Sequence, residues 1–123
     1  DILYRKWTKE YYLGGEAEYD RLLRARKINE DAANASASWG MFQIMGFNHA
    51  ACGSPDVASF VRSMCESDCR QLLLSLRFIR GNKPMLAALQ QKDWKEFARL
   101  YNGSGYALNR YDEKLLKAYN SFL

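Results

Sequence analysis

The sequence has few of the features that would place it in a membrane or cross-link it covalently. Of its 123 residues only three are cysteine and one is histidine. No apolar run approaches the ~18–20 residues that a membrane-spanning helix needs, so no membrane span is predicted. Basic residues near the start are not followed by an apolar stretch, so no secretory signal is visible. An odd number of cysteines cannot close a full disulfide framework.

The three cysteines are predicted to be buried free thiols. Cys65 and Cys69 are four residues apart and would lie on one helical face beside apolar neighbours, and Cys52 is the third. No metal site is expected, because His49 is the only histidine and no second paired motif accompanies it. No cofactor is expected either, and the flanks of these residues lack the nucleophile turn of a Cys–His protease.

What is present is typical of one globular domain over residues 1–123. Hydrophobic residues make up 48% of the chain and aromatic residues 14%. Lys and Arg outnumber Asp and Glu by 18 to 14, which favours anionic partners, although a solvated surface explains any single one of them. Nucleic acid is not an expected partner, because the only basic cluster, Arg21, Arg24, Arg26 and Lys27, has acids beside it.

The apolar spacing predicts a mainly α-helical protein. Asn29 is a good N-cap for an alanine-rich helix that ends near Ser38. Ser54 would cap the next helix, with Pro55 at its first position. Val57, Phe60, Val61 and Met64 then form one apolar stripe. The helix that follows, from Ser67–Asp68 to about Arg80, is predicted to be the buried central helix, because leucines cover most of its circumference.

The remaining segments are predicted less sharply. Residues 1–12 could be a short strand or irregular, so the fold includes a possible small strand element near the N-terminus. Residues 16–27 indicate a short helix or a polar loop. Helices are expected over 85–91, from the capping-box-like pair Asp93 and Glu96, and over 109–122, where Leu115, Tyr119 and Phe122 would be buried.

The segment 33–46, ANASASWGMFQIMG, is the most unusual part of the chain. Its small residues would let another segment approach the backbone closely, and Gly40 permits a turn that a side chain would obstruct. Trp39 offers a flat apolar face with one N–H donor. Gln43 is the one amide among apolar neighbours, so it must find a partner either in the backbone or in a ligand.

This segment resembles the signature turn of a known family. SASWGMFQIMG at 36–46 is similar to the turn of the N-acetylmuramidases found in phage endolysins and related bacterial proteins, which have a lysozyme-like fold. The run 93–119, with YNG at 101–103, is similar to the C-terminal pattern of that family. ILYRKW at 2–7, the pair Gly14–Gly15 and YDRLLRA at 19–25 also fit, so the resemblance covers nearly the whole chain.

The resemblance implies cleavage of the peptidoglycan glycan strand after N-acetylmuramic acid, at the periplasmic or extracellular face of the bacterial wall, by a monomer. Gln43 would hydrogen-bond an N-acetyl or hydroxyl group, and aromatic rings would stack on sugars. Core packing is the alternative for Trp39 and Tyr101, and a helix C-cap is the alternative for Asn102. We expect the candidate substrate-binding residues to line one groove; they are Ser38, Trp39, Gln43, Tyr101, Asn102, Gly103 and Tyr106.

Hydrolysis of a glycosidic bond needs a carboxylic acid whose pKa is raised enough to keep its proton near neutral pH. In the family, the segment with this acid precedes the part that resembles ILYRKW. We therefore expect the general acid before Asp1, and an N-terminally truncated catalytic domain, with Glu16 or Glu18 as the fallback. The alternative function is a lysozyme-like domain that binds peptidoglycan or another aminosugar polymer without cleaving it.

Overall fold

The computed structural model describes residues 2, 3, 6 and 8–123, and within them the protein is mainly helical, which confirms the predicted fold class. The helices are α1 (Ala17–Arg26), α2 (Glu30–Ser36), α3 (Val57–Glu66), α4 (Asp68–Gly81), α5 (Lys83–Gln90), α6 (Trp94–Asn102) and α7 (Tyr111–Ser121). Two 3-10 helices cover Gly46–Asn48 and Ser104–Asn109. In the part of the chain so described, no helix is both long and apolar enough to cross a bilayer.

The chain forms two compact units. The first unit ends at Ser75 and the second unit is Leu76–Leu123. That residues 1–123 act as one domain stays a prediction.

The strand element lies elsewhere than predicted. The described positions within 1–12 contain no strand, and the other positions of that segment lie outside the described residues. The two strands are instead β1 (Ser38–Trp39) and β2 (Ile44–Met45), which pair antiparallel with Ser38 opposite Met45. Strands of two residues leave no alternating pattern in a sequence, so periodicity could not locate them.

Side-chain caps fix most helix starts. The Asn29 side chain accepts a hydrogen bond from the Ala32 amide at 2.8 Å, and Asp93 accepts one from Glu96 at 3.1 Å, as predicted. The start of α3 differs from the prediction, because Asp56 rather than Ser54 is the N-cap and accepts from the Ser59 amide at 2.7 Å. Pro55 therefore precedes the cap.

The core of the first unit contains the predicted stripe of α3. Val57, Phe60 and Met64 are buried, together with Trp39 and Ile44 from the strands. This stripe was readable from sequence because its members recur at helical spacing.

The cysteines divide into one buried and two exposed thiols. Cys52 is fully buried, and burial raises the pKa of its thiol to about 11. Cys65 and Cys69 are free but exposed, so their predicted burial is wrong. Cys65 is one residue beyond buried Met64, which turns it about 100° away from the buried side of α3.

Helix α4 is buried along one side only, in contrast to the prediction. Leu74, Ser75 and Ile79 are buried, but Leu72 is 46% exposed and Leu76 is 52% exposed. The leucines that cover its circumference therefore do not report burial on all sides.

The second unit has its own core. Its buried residues are Ile79, Met85, Ala88 and Phe97. Half-buried Phe78, Leu86, Leu89, Leu100, Tyr101 and Leu115 pack around them. Phe122 is 90% exposed, against its predicted burial, because it follows the last residue of α7.

Candidate functional site

The turn between β1 and β2 depends on two residues in the left-handed region. Gly40 has φ 73° and Gln43 has φ 52°. The Gln43 amide donates to the Gly40 carbonyl at 3.2 Å and closes the turn. A non-glycine residue rarely adopts this conformation, so the surrounding structure must hold Gln43 in it.

One distant side chain supports this turn. The Gln71 side-chain oxygen accepts a hydrogen bond from the Met41 amide at 2.9 Å, and its NH2 group donates to the Met64 carbonyl at 2.8 Å. A Cβ at Gly40 would lie 2.9 Å from the Met64 sulfur and 3.0 Å from the Gln71 oxygen. Gly40 is therefore required both for its backbone conformation and for the close approach of α3 and α4.

The other end of the hairpin packs directly on α2. A Cβ at Gly46 would overlap the Asn34 carbonyl oxygen and lie 2.9 Å from the Ala35 Cα atom. The Gly46 amide donates to the Ala37 carbonyl at 2.9 Å. This contact is the close approach that the small residues of segment 33–46 predict.

Trp39 is a packing residue of the first unit. Its side chain is 8% exposed, and its indole N–H donates to the Asn34 carbonyl at 2.9 Å. The Arg26 guanidinium donates to the Asn34 side chain at 2.8 Å and lies 5.9 Å from the indole ring centre. The structure therefore favours core packing for Trp39 over stacking on a sugar.

Ser38 and Gln43 are exposed. The Gln43 NH2 group donates to the Gly40 carbonyl at 2.9 Å, while its side-chain oxygen has no hydrogen bond to a described residue. The Ser38 hydroxyl contacts the Met45 sulfur at 3.0 Å. Gln43 thus combines both interpretations of its amide: the NH2 group is satisfied by backbone, and the oxygen can accept a hydrogen bond from a ligand.

The other candidate residues lie at the end of α6 and in the 3-10 helix that follows. The Tyr101 ring stacks on Phe97 with centroids 5.6 Å apart and meets Phe78 edge-on at 5.9 Å. Tyr101 is therefore half-buried in the core of the second unit, and packing accounts for its ring.

Asn102 is the last residue of α6 and is exposed, whereas the C-cap is Gly103, with φ 85°. The proposed cap role of Asn102 is therefore taken by Gly103, because only glycine adopts this backbone conformation without strain. The Tyr106 amide donates to the Gly103 carbonyl at 3.1 Å, and the Tyr106 side chain is half-buried. That these residues share a groove with the turn stays a prediction.

Glu18 is poorly suited to act as a general acid. Its carboxylate accepts hydrogen bonds from the Gly14 amide at 3.0 Å and the Leu13 amide at 2.6 Å, and from the Arg21 guanidinium at 2.6 Å. These contacts, led by the bond from Gly14, hold the pKa of Glu18 below its usual value. The fallback role is therefore disfavoured, because an ionised carboxylate has no proton to give. Glu16 is exposed and caps α1 without a side-chain hydrogen bond.

The other glutamates are also exposed or paired. Glu96 accepts two hydrogen bonds from Arg99, at 2.8 and 2.5 Å, and these lower its pKa. Glu66 lies 3.4 Å from Arg70, and Glu113 pairs with Arg110. All seven glutamates of the chain are at described positions, and none is buried. No side chain among them has the apolar environment that raises a carboxyl pKa.

Sequence reasoning missed the residues that support the turn. Gln71 is a polar side chain on a leucine-rich helix, and that contrast was the one available signal. Its partner Met41 is 30 residues away, so no local pattern could show the contact.

The family model described as muramidase, N-acetylmuramidase, matches residues 1–123. Among solved structures, the crystal structure of the Burkholderia AP3 phage endolysin is similar, with a TM-score of 0.81 and 49% sequence identity. The alignment covers 89% of this chain and 42% of that endolysin, so this chain spans less than half of its length. No curated protein matched. Because the family model matches the whole chain and the hairpin keeps the family's turn, this protein belongs to the N-acetylmuramidase family.

Proposed function

We propose that this protein hydrolyses the glycan strand of bacterial peptidoglycan, at the bond after N-acetylmuramic acid. The observation that carries the proposal is the match of all 123 residues to the N-acetylmuramidase family model. The similarity to an endolysin at 49% identity supports it. The enzyme would then act where peptidoglycan is, at the periplasmic or extracellular face of the bacterial wall.

For substrate binding, the exposed polar atoms of the turn are the best supported. The Gln43 oxygen has an unused acceptor site, which suits the N–H of an N-acetyl group or a sugar hydroxyl. Ser38 is exposed beside it on β1. In the second unit, Asn102 and Gly103 are exposed and Tyr106 is half-buried, so an amide, a bare backbone and a phenol ring are available.

We further propose that none of the seven glutamates is the general acid, and that a segment outside residues 1–123 supplies it. The support is physical: Glu18 and Glu96 have lowered pKa values, and no glutamate is buried. A general acid at neutral pH needs the opposite environment.

Digestion of purified peptidoglycan tests the reaction. We expect soluble muropeptides, released by the full encoded protein, whose reducing end is N-acetylmuramic acid by mass spectrometry after borohydride reduction. Products that end in reducing N-acetylglucosamine would contradict the proposed cleavage position. If the acid lies outside residues 1–123, the chain Asp1–Leu123 alone should bind the polymer and release nothing; release by this chain would overturn that part.

The Gln43→Ala variant tests substrate binding by the turn. Loss of one hydrogen bond to the glycan should lower kcat/KM about five-fold. The free energy of unfolding should change by less than ~0.5 kcal/mol, because the side chain is exposed. Gln90→Ala, at an exposed glutamine of α5, is the matched control and should leave both quantities unchanged. A large fall in stability would instead indicate a structural amide.

The second candidate is a domain that binds peptidoglycan without cleaving it. The absence of a buried glutamate favours it for the isolated chain. Sedimentation with insoluble peptidoglycan, with no release from the full encoded protein, would establish this function and exclude the hydrolase.

A further inference from the structure

The positive charge of the chain is concentrated in the second unit. Leu76–Leu123 contains nine Lys and Arg residues against four Asp and Glu residues, a net charge of +5. The first unit contains nine against ten, a net charge of −1, and the two values add to the +4 of the whole chain. The modest excess seen in composition is therefore a strong excess on fewer than half of the residues.

Seven cations of the second unit are exposed and form no ion pair with a described residue. Only Arg99 and Arg110 have acidic partners, Glu96 and Glu113. Asp93 is occupied as the N-cap of α6. The seven, which we call the cationic surface, are Arg77, Arg80, Lys83, Lys92, Lys95, Lys114 and Lys117.

Aromatic rings organise two of these cations without neutralising them. The Lys92 ammonium lies 5.1 Å from the ring centre of Tyr119, and the Lys114 ammonium lies 5.4 Å from that of Tyr111. A cation over a ring face is held in place but keeps its full charge. Both groups remain able to attract an anion.

The cationic surface is distributed over several elements. Its members lie near the junction of α4 and α5, at the start of α6 and along α7. Charges spread in this way do not converge on one small anion, but they raise the local concentration of a polymer whose anionic groups repeat. Five of the seven are lysines, which act as point charges and lack the guanidinium fork that suits phosphate.

We propose that the cationic surface binds the carboxylates of the peptide stems that repeat along peptidoglycan. This inference rests on the proposed function, since peptidoglycan is the substrate named there. The second unit would thus attract the polyanionic polymer, separately from the contacts that select the sugar. Attraction of this kind between exposed groups weakens as salt rises.

Two variants with equal loss of charge test the location. Lys83→Gln, Lys95→Gln and Lys117→Gln are combined in the second unit, and Lys6→Gln, Lys27→Gln and Arg62→Gln are combined in the first. All six residues are exposed, so both variants should fold. Binding to insoluble peptidoglycan freed of attached polymers is measured by sedimentation at low salt and at high salt.

We expect the second-unit variant to bind about ten-fold more weakly at low salt, and the first-unit control to lose less than about two-fold. The difference should vanish at about 1 M salt, where screening is nearly complete. Equal losses in the two variants, or no dependence on salt, would overturn the inference.

Modified polymers test the partner with the unaltered chain. Amidation of the stem carboxylates should weaken binding about ten-fold or more, and unchanged binding would contradict the inference. Double-stranded DNA at the same salt should bind more weakly than peptidoglycan. Tighter binding to DNA would assign the cationic surface to phosphate polymers instead.

The two proposals can fail separately. If the encoded protein cleaves peptidoglycan but its binding ignores salt and amidation, the hydrolase stands and the cationic surface has no such role. If binding follows the stem charge and no muropeptide is released, this inference stands and the hydrolase does not.

Discussion

The turn between β1 and β2 and the segment 101–106 carry the candidate binding residues, but they are built in different ways. The turn is held by contacts distant in sequence, through Gln71 and the backbone of α2. The segment 101–106 is shaped locally, by the end of α6 and the left-handed backbone of Gly103. A Cβ placed at Gly103 or Gly105 would meet no atom within 4 Å.

This difference separates structural from functional substitutions. In the turn, the residues that support the backbone are buried or close-packed, and the exposed polar atoms are those of Ser38 and Gln43. In the segment 101–106 the aromatic ring of Tyr101 belongs to the core, while Asn102 is exposed without a supporting role. Substitutions at equivalent residue types should therefore have unequal effects in the two regions.

The largest expected effect is at Gly46. Gly46→Ala should reduce the free energy of unfolding by about 3 kcal/mol, because the added Cβ overlaps backbone of α2 that cannot move aside. The matched control is Gly105→Ala in the segment 101–106, which meets open space and should change stability by less than ~0.5 kcal/mol. Urea denaturation measures both. Equal losses would remove the distinction between the two regions.

A smaller effect is expected at Gln71. Gln71→Ala removes the hydrogen bonds to the Met41 amide and the Met64 carbonyl, and should cost about 2 kcal/mol of unfolding free energy. It should also lower affinity for peptidoglycan, since the turn that presents Gln43 loses its support. Exposed Gln90→Ala is again the control. A stability change below ~0.5 kcal/mol would show that the turn is held by other contacts.

The smallest effect on stability is expected at Asn102. Asn102→Ala should leave the unfolding free energy within ~0.5 kcal/mol of the original, because the side chain is exposed at the end of α6 and Gly103 is the cap. If Asn102 binds the glycan, affinity for peptidoglycan should still fall a few-fold, as for loss of one hydrogen bond. A clear loss of stability would make Asn102 structural, as Tyr101 is.

Features that depend on neighbours within one or two helical turns were predictable from sequence. The caps Asn29 and Asp93 and the buried stripe of α3 were found because they recur at fixed short spacings. The burial of α4 and of Phe122 was not, because apolar composition does not say which side of an element has a neighbour.

The same division holds for the site. The turn motif identified the family, and its glycines were correctly read as places of chain reversal and close approach. The sequence could list Trp39 and Gln43 together as ligand contacts, but only the fold separated them, since the indole points into the core and the amide is exposed.

The sequence by itself determined the family, the helical class and most helix starts, because these follow from short motifs and from hydrogen bonds between near neighbours. Tertiary structure alone decided that Glu18 is held as an anion and that Gln71 supports the turn. It also left seven cations of the second unit without partners. The physical reason is that pKa, burial and charge pairing depend on which groups meet in space, and Met41 and Gln71 meet across 30 residues of chain.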